Sequence, residues 1–322
     1  METINVLITG ITGSGASYLA EFLTSITEYP VKVHGISRWH STTSAKNLSA
    51  IKDKVTLHEC DLMDLSAVIR VLDEVKPDYI FHLASHANVH VCFTNPIAVF
   101  NNNVNGTLNL FEGVRLLKLK PIIQLCGTSE VYGDVKPEDV PIYETHPLNP
   151  VNIYAVSKLT QEKIAMSYYH CYNAYVVLTR MFTYINPRRE DIFSSAFAKQ
   201  IVAIERGQQD KLYHGNLESV RTIIDVRDAM ECYWIASNLC DFGVPYNIGG
   251  GTTISVGDFI EKLKSKAKVN IETEVNTKLL RPKDVTLQIP NSDKFMKKTN
   301  WKPKYNIDES IDFLLDYYRA KP

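Results

Sequence analysis

Short apolar runs alternate with amphipathic stretches along the first half of the chain. "INVLITG" (4–10), "VKVHGIS" (31–37), "VTLHEC" (55–60), "PDYIFHLA" (77–84) and "PIIQLCG" (121–127) each have the length and β-branched content of a buried strand. Between them lie helical patterns: "GASYLAEFLTSI", "LSAVIRVLDEV" and a long stretch over roughly 95–118. A second long helix is expected over about 151–172, and another strand at "AYVVLTRMF". Strands of this kind separated by helices imply βαβ units and a parallel sheet covered on both faces. The expected class is therefore α/β, a doubly wound Rossmann-type sheet with a smaller C-terminal substrate-binding lobe. After "AYVVLTRMF" the alternation breaks into segments rich in Arg, Asn, Gly and Pro: "NPRRED", "HGNLESVRT" and "LLRPKD". The pattern places the nucleotide-binding domain at 1–182, with 222–250 returning to it, and the substrate lobe at 183–221 and 251–322.

Composition narrows the class without changing it. With 322 residues, 45% of them hydrophobic, the chain can bury a large core. A net charge of −1 gives no reason to expect nucleic acid or a charged membrane as partner. The six cysteines form no CxxC pair and most sit in apolar runs, so buried reduced thiols and no metal site are expected. No apolar run approaches the ~18 residues of a membrane span, and a soluble cytoplasmic protein is expected.

"TGITGSGASYL" sets glycines at 10, 13 and 15 between the first strand and the first helix. Glycine permits a tight turn and close backbone approach to a pyrophosphate, which the helix N-terminus then favours. Gly10, Thr12, Gly13, Ser14 and Gly15 are thus the candidate phosphate loop, with Ala16 where a third glycine is more usual. The second strand ends in "SRW" rather than in an acid that would bind ribose hydroxyls. Arg38 is placed to meet a 2′-phosphate through charge-assisted bonds, which points to NADP; the alternative is an arginine that faces solvent. Trp39 could cover the adenine. Asp61 and Leu62 fall near the adenine, and Leu83 and Ala84 close the "HLA" strand beside the glycine loop.

Tyr154 and Lys158 are four apart within "NIYAVSKLTQEKIA", on one face of a helix. The spacing alone arises often by chance. Its weight comes from following the glycine loop, "HLA" and "GTSE" in order. A tyrosine titrates near ~10, so service as a base at neutral pH needs a drop of roughly 3 units, ~4 kcal/mol. One ammonium ~4 Å away at an effective dielectric of ~20 supplies about that much. Thr128 would hydrogen-bond a sugar hydroxyl beside Ser129. Hydride transfer alone needs no carboxylate, so Glu130 either caps a turn or removes a carbon-bound proton next to a new ketone.

These motifs, with "NVNGTLNLFE", "DVRDA", "YNIGGG", "LLRPKDV" and "NWKP", occur in an order that resembles the extended short-chain dehydrogenases acting on nucleotide sugars. The greatest similarity is to GDP-mannose 4,6-dehydratases and the related GDP-4-keto-6-deoxymannose reductases. The resemblance implies tightly held, recycled NADP and a GDP-sugar substrate, oxidised at C4, dehydrated across C5–C6 and reduced at C6. It implies Tyr154 as base at O4, Lys158 lowering its pKa, Thr128 on O4, and Glu130 handling the C5 proton and the leaving hydroxide. It further implies Arg221 and Arg281 on the diphosphate, Asp284 on the nucleotide ribose and Lys199 near the substrate.

The chain also departs from the family pattern. "SHANV" places His86 and Asn88 where AQSHV is usual, and Thr183 and Tyr184 stand in place of an Asn–His pair. Both positions border the sugar, so a hexose other than mannose, such as that of GDP-N-acetylglucosamine, is an alternative. A second alternative is an NADPH-dependent reductase of a GDP-4-keto-6-deoxy sugar, and a third is a non-enzymatic NADP sensor. A homodimer through the two long helices is expected, with a tetramer as the alternative.

Overall fold

The computed structural model describes residues 2–39, 45–280 and 286–321. In chain order its strands are β1 (Ile4–Thr9), β2 (Val31–Ser37), β3 (Val55–Glu59), β4 (Tyr79–His82), β5 (Ile122–Thr128), β6 (Tyr175–Met181), β7 (Thr183–Ile185), β8 (Lys211–His214), β9 (Val220–Asp225), β10 (Pro245–Ile248), β11 (Thr252–Ser255), β12 (Glu272–Val275) and β13 (Leu287–Gln288). The helices are α1 (Ser14–Thr24), α2 (Leu65–Val75), α3 (Val89–Thr94), α4 (Pro96–Leu116), α5 (Ile153–Tyr172), α6 (Phe193–Glu205), α7 (Val226–Leu239), α8 (Val256–Ser265), α9 (Asp293–Thr299) and α10 (Ile307–Arg319).

Seven strands form one sheet in the order β10-β6-β5-β4-β1-β2-β3. Every pairing in it is parallel. The doubly wound class read from the sequence is the class observed. Strand β1 explains why its sequence is continuously apolar. Val6 and Ile8 enter the core on the side of α1 and α7, while Leu7 enters the core beneath α2, α4 and α5. A strand buried on both faces cannot show polar alternation. Chain order reverses between β1 and β4, which opens a crevice at their C-terminal ends.

The helices begin where capping chemistry allows. Asp64 accepts from the backbone N–H of Ser66 and Ala67 to start α2, and Asn152 accepts from Ala155 to start α5. Helix α5 ends at Asn173, which adopts the left-handed conformation. A second sheet runs β11-β9-β13, with β7 also pairing β9. A third core, including Phe197, Ile201, Phe259, Ile311 and Leu314, packs α6, α8 and α10 around it. Helix α7 and strand β10 return the chain from this sheet to the larger one.

Candidate active site

The glycine turn sits at the reversal point. Gly10 has φ +69, and a Cβ there would lie 2.9 Å from the Ala84 Cα. Only glycine combines that conformation with that approach. Helix α1 begins at Ser14 with no side-chain cap, so its first N–H groups are free for an anion. An uncapped helix start behind an obligatory glycine is a cradle that fits a dinucleotide pyrophosphate.

Two adjoining hollows open here, of about 320 Å³ and about 210 Å³. Gly10, Gly13 and Leu83 border both. Thr12, Arg38, Asp61, Leu62 and Ala84 line the smaller one, and Ser14 and Gly15 the larger. Arg38 Nη2 lies 3.4 Å from His86 Nε2. Trp39, read as an adenine cover, is 68% exposed and is not among the residues lining the two hollows.

A buried polar chain braces the floor. The Ala84 N–H donates to Thr9 Oγ1 at 3.1 Å. Thr9 Oγ1 lies 2.8 Å from His82 Nδ1, and His82 Nε2 lies 2.9 Å from Thr107 Oγ1. The Thr107 hydroxyl proton goes to the Asn103 carbonyl, so Nε2 carries the hydrogen and Nδ1 accepts from Thr9. A neutral ring satisfies the chain. Burial, aided by the Lys158 cation, lowers the His82 pKa to about 3.

The larger hollow gathers Thr128, Ser129, Glu130, Tyr154, Lys158, Thr183 and Arg221. Strand β5 ends at Thr128, whose Oγ1 accepts from the Glu130 N–H at 3.3 Å and caps the short turn Ser129–Tyr132. The capping role therefore falls to Thr128, which frees the Glu130 carboxylate to face the hollow. Asn152 Nδ2 donates to Glu130 Oε2 at 3.3 Å, and Gln288 Nε2 donates to Glu130 Oε1 at 3.0 Å. Behind this turn, Arg180 forms a buried pair with Glu162 of α5 and donates to the Tyr132 hydroxyl at 2.9 Å. Breaking such a pair by removing one partner costs about 3–5 kcal/mol, so the turn and α5 are firmly joined.

Tyr154 and Lys158 are both buried in the first turns of α5. Burial raises the Tyr154 pKa and lowers that of Lys158. A single ammonium weighed against an exposed phenol thus understates the task, because desolvation adds to it. A second cation helps. The Arg189 guanidinium is the leading group pulling the phenol down. It lines the hollow, held by the Ala87 carbonyl at 2.7 Å and Asp191 at 3.1 Å.

Arg189, Asn152 and Gln288 are the residues that reading for catalytic motifs passes over. "NPRRED" signals the first, and the helix cap before "YAVSK" the second. Gln288, inside "TLQIP", carries no signal. Lys199 is not brought to the hollow: α6 turns Phe197, Ala198 and Ile201 inward, and Lys199 points outward to Glu190 at 2.7 Å. Arg281 and Asp284 lie outside the described residues. Among the described residues, no His, Cys, Asp and Glu side chains cluster as a metal site.

The family model for GDP-mannose 4,6 dehydratase matches residues 7–313. The GDP-mannose 4,6-dehydratase of Yersinia enterocolitica is 30% identical, over 94% of this chain and 90% of its own. The structure of RMD from Pseudomonas aeruginosa complexed with NADPH superposes with a TM-score of 0.84 at 23% identity, covering 98% of this chain and 99% of that one. The UDP-glucose 4-epimerase of Thermus thermophilus in complex with NAD gives 0.85 at 26% identity, covering 99% of each chain. The glycine turn, the paired hollows and a match running through nearly the whole chain lead to one assignment: this chain belongs to the GDP-mannose 4,6-dehydratase family.

Proposed function

We propose that the protein is a GDP-sugar 4,6-dehydratase that uses NADP and takes GDP-mannose as its default substrate. The observation that carries this reading is the meeting of the Glu130 carboxylate and the Tyr154 phenol in one hollow, with Thr128 and Lys158 beside them. The cofactor's adenosine end fits the smaller hollow, where Arg38 favours a 2′-phosphate over a bare ribose. Its pyrophosphate fits the uncapped start of α1. When bound, the nicotinamide supplies acceptance and return of a hydride.

In this reading Tyr154 removes the proton of the C4 hydroxyl, while Thr128 holds that oxygen. Lys158 and Arg189 stabilise the phenolate against its burial. The C4 ketone acidifies the C5 hydrogen, and Glu130 takes that proton. The C5 electron pair forms the C5–C6 double bond as the C6–O bond breaks, and hydroxide leaves with the proton as water. Arg221 seats the diphosphate, joined by Arg281, with Asp284 on the ribose. We also assign a homodimer through α4 and α5, because these two helices pack together and expose Ile97, Leu108 and Leu116 on one and Ile153 and Tyr172 on the other. No helix among the described residues is long and apolar enough to cross a membrane, in keeping with a cytoplasmic enzyme.

The test is incubation of the purified protein with GDP-mannose and no added NADPH. A product lighter by one water, carrying solvent deuterium at C5, is expected. Glu130→Gln should abolish that deuterium. Turnover seen only when a 4-keto sugar and NADPH are supplied would make the protein a reductase instead.

A further inference from the structure

Among the described residues, Gln288 is the one that brings a hydrogen bond to the Glu130 carboxylate from the second sheet. Its side chain is buried and borders the larger hollow. Its backbone is held from two sides. In the register of β13 with β9, Gln288 pairs with Arg221. One residue on, the Ile289 carbonyl accepts from Ile142 at 2.7 Å, and the Asn291 N–H donates to the Ile142 carbonyl at 2.8 Å. The side-chain amide is held as well. Thr183 Oγ1 donates to Gln288 Oε1 at 3.4 Å, which leaves the Nε2 hydrogens for Glu130 Oε1 at 3.0 Å. Reversing the amide would set two oxygens against each other. Asn152 grips the other carboxylate oxygen from the start of α5.

We infer that Gln288, oriented by Thr183, is a positioning residue that aims the Glu130 carboxylate at the substrate's C5 hydrogen. The inference rests on the dehydratase reading above and extends it. Thr183, read from sequence as a sugar contact, acts here through Gln288. A carboxylate gripped at one oxygen only can swing about its last torsion, and proton removal from carbon needs the reacting atoms within ~3.5 Å and aligned. Because Gln288 on β13 pairs with Arg221 on β9, the strand that aims the base lies beside the one that receives the diphosphate.

The experiment uses the full chain with its cofactor and GDP-mannose, comparing wild type with Gln288→Leu. Three readouts are followed: the steady-state constants, solvent deuterium at C5, and the near-ultraviolet rise of reduced cofactor in a single turnover. Loss of aim should lower kcat and C5 exchange by about 10- to 100-fold. KM should change by less than about twofold, and the reduced-cofactor rise should keep its rate, since Tyr154 and Thr128 are untouched. Thr183→Val, which keeps the glutamine but frees its amide, should slow the same step by about 3- to 10-fold. It decides the matter if Gln288→Leu does not fold. Unchanged C5 exchange in these variants, or an equal fall in both half-reactions, overturns the positioning role. Persistence of C5 exchange in Glu130→Gln would instead overturn the dehydratase reading of Glu130 itself.

Discussion

Acidification should lower the stability of the fold through His82, and the size of the effect follows from its surroundings. His82 is buried and joined to Thr9 and Thr107, with its pKa lowered from an ordinary 6.5 to about 3. Between those values the unfolded chain binds a proton that the folded ring refuses. Stability is therefore intact above pH 6.5 and is lost as the pH falls from there toward 3. Between about pH 7.5 and about pH 5 the single group removes about 2 kcal/mol, from 1.36 kcal/mol per unit of separation. Urea unfolding at both pH values, read by fluorescence, measures it. His82→Gln carries no titrating ring. It should be less stable than wild type near neutrality but lose about 2 kcal/mol less on acidification. His34, lowered to about 4 by burial and by His58 beside it, titrates in both proteins and drops out of the difference. NADP affinity of the folded protein should not follow this titration, since the folded ring stays neutral and keeps its bond to Thr9 beneath the Ala84 N–H. Parallel pH dependence in the two proteins would refute the argument.

Two further outcomes can be checked directly. Arg38→Ala should cost about 10- to 100-fold in NADP affinity by fluorescence titration while leaving NAD affinity within about twofold, because only the 2′-phosphate loses its partner; equal losses for both cofactors would remove Arg38 from that role. Ile97→Asp places a charge on the most exposed apolar position of α4 and should yield monomers in sedimentation at concentrations where the wild type is dimeric; a monomeric wild type would refute the dimer.

How much of this was legible in the sequence follows from the range of each interaction. Gly10, Gly13, Arg38, Asp61, Leu83, Thr128 and Glu130 all sit at or just beyond the C-terminal ends of parallel strands, and strands announce themselves by short apolar runs. Once five such runs alternate with helices, topology alone brings their tips to one crevice. Tyr154 and Lys158 belong to the same class, because helical spacing sets their shared face. Lys199 marks where that logic stops. It was read from resemblance, with no helix assigned to it, and which face of α6 turns inward depends on a core assembled from α6, α8 and α10, which turns Lys199 outward to Glu190. Gln288 lies further out of reach. It sits on a strand of two residues, too short for any period, and meets Glu130 across 158 positions of chain. Its place is decided by backbone bonds to β9 and to Ile142, which no local pattern encodes. The division has a chemical consequence. The groups proposed for hydride and hydroxyl chemistry come from the short-range, legible half of the chain, while the amide proposed to orient the base comes from the long-range half. Substitutions on β13 that disturb Gln288 should therefore alter how well Glu130 is aimed while leaving the Tyr154 half-reaction intact.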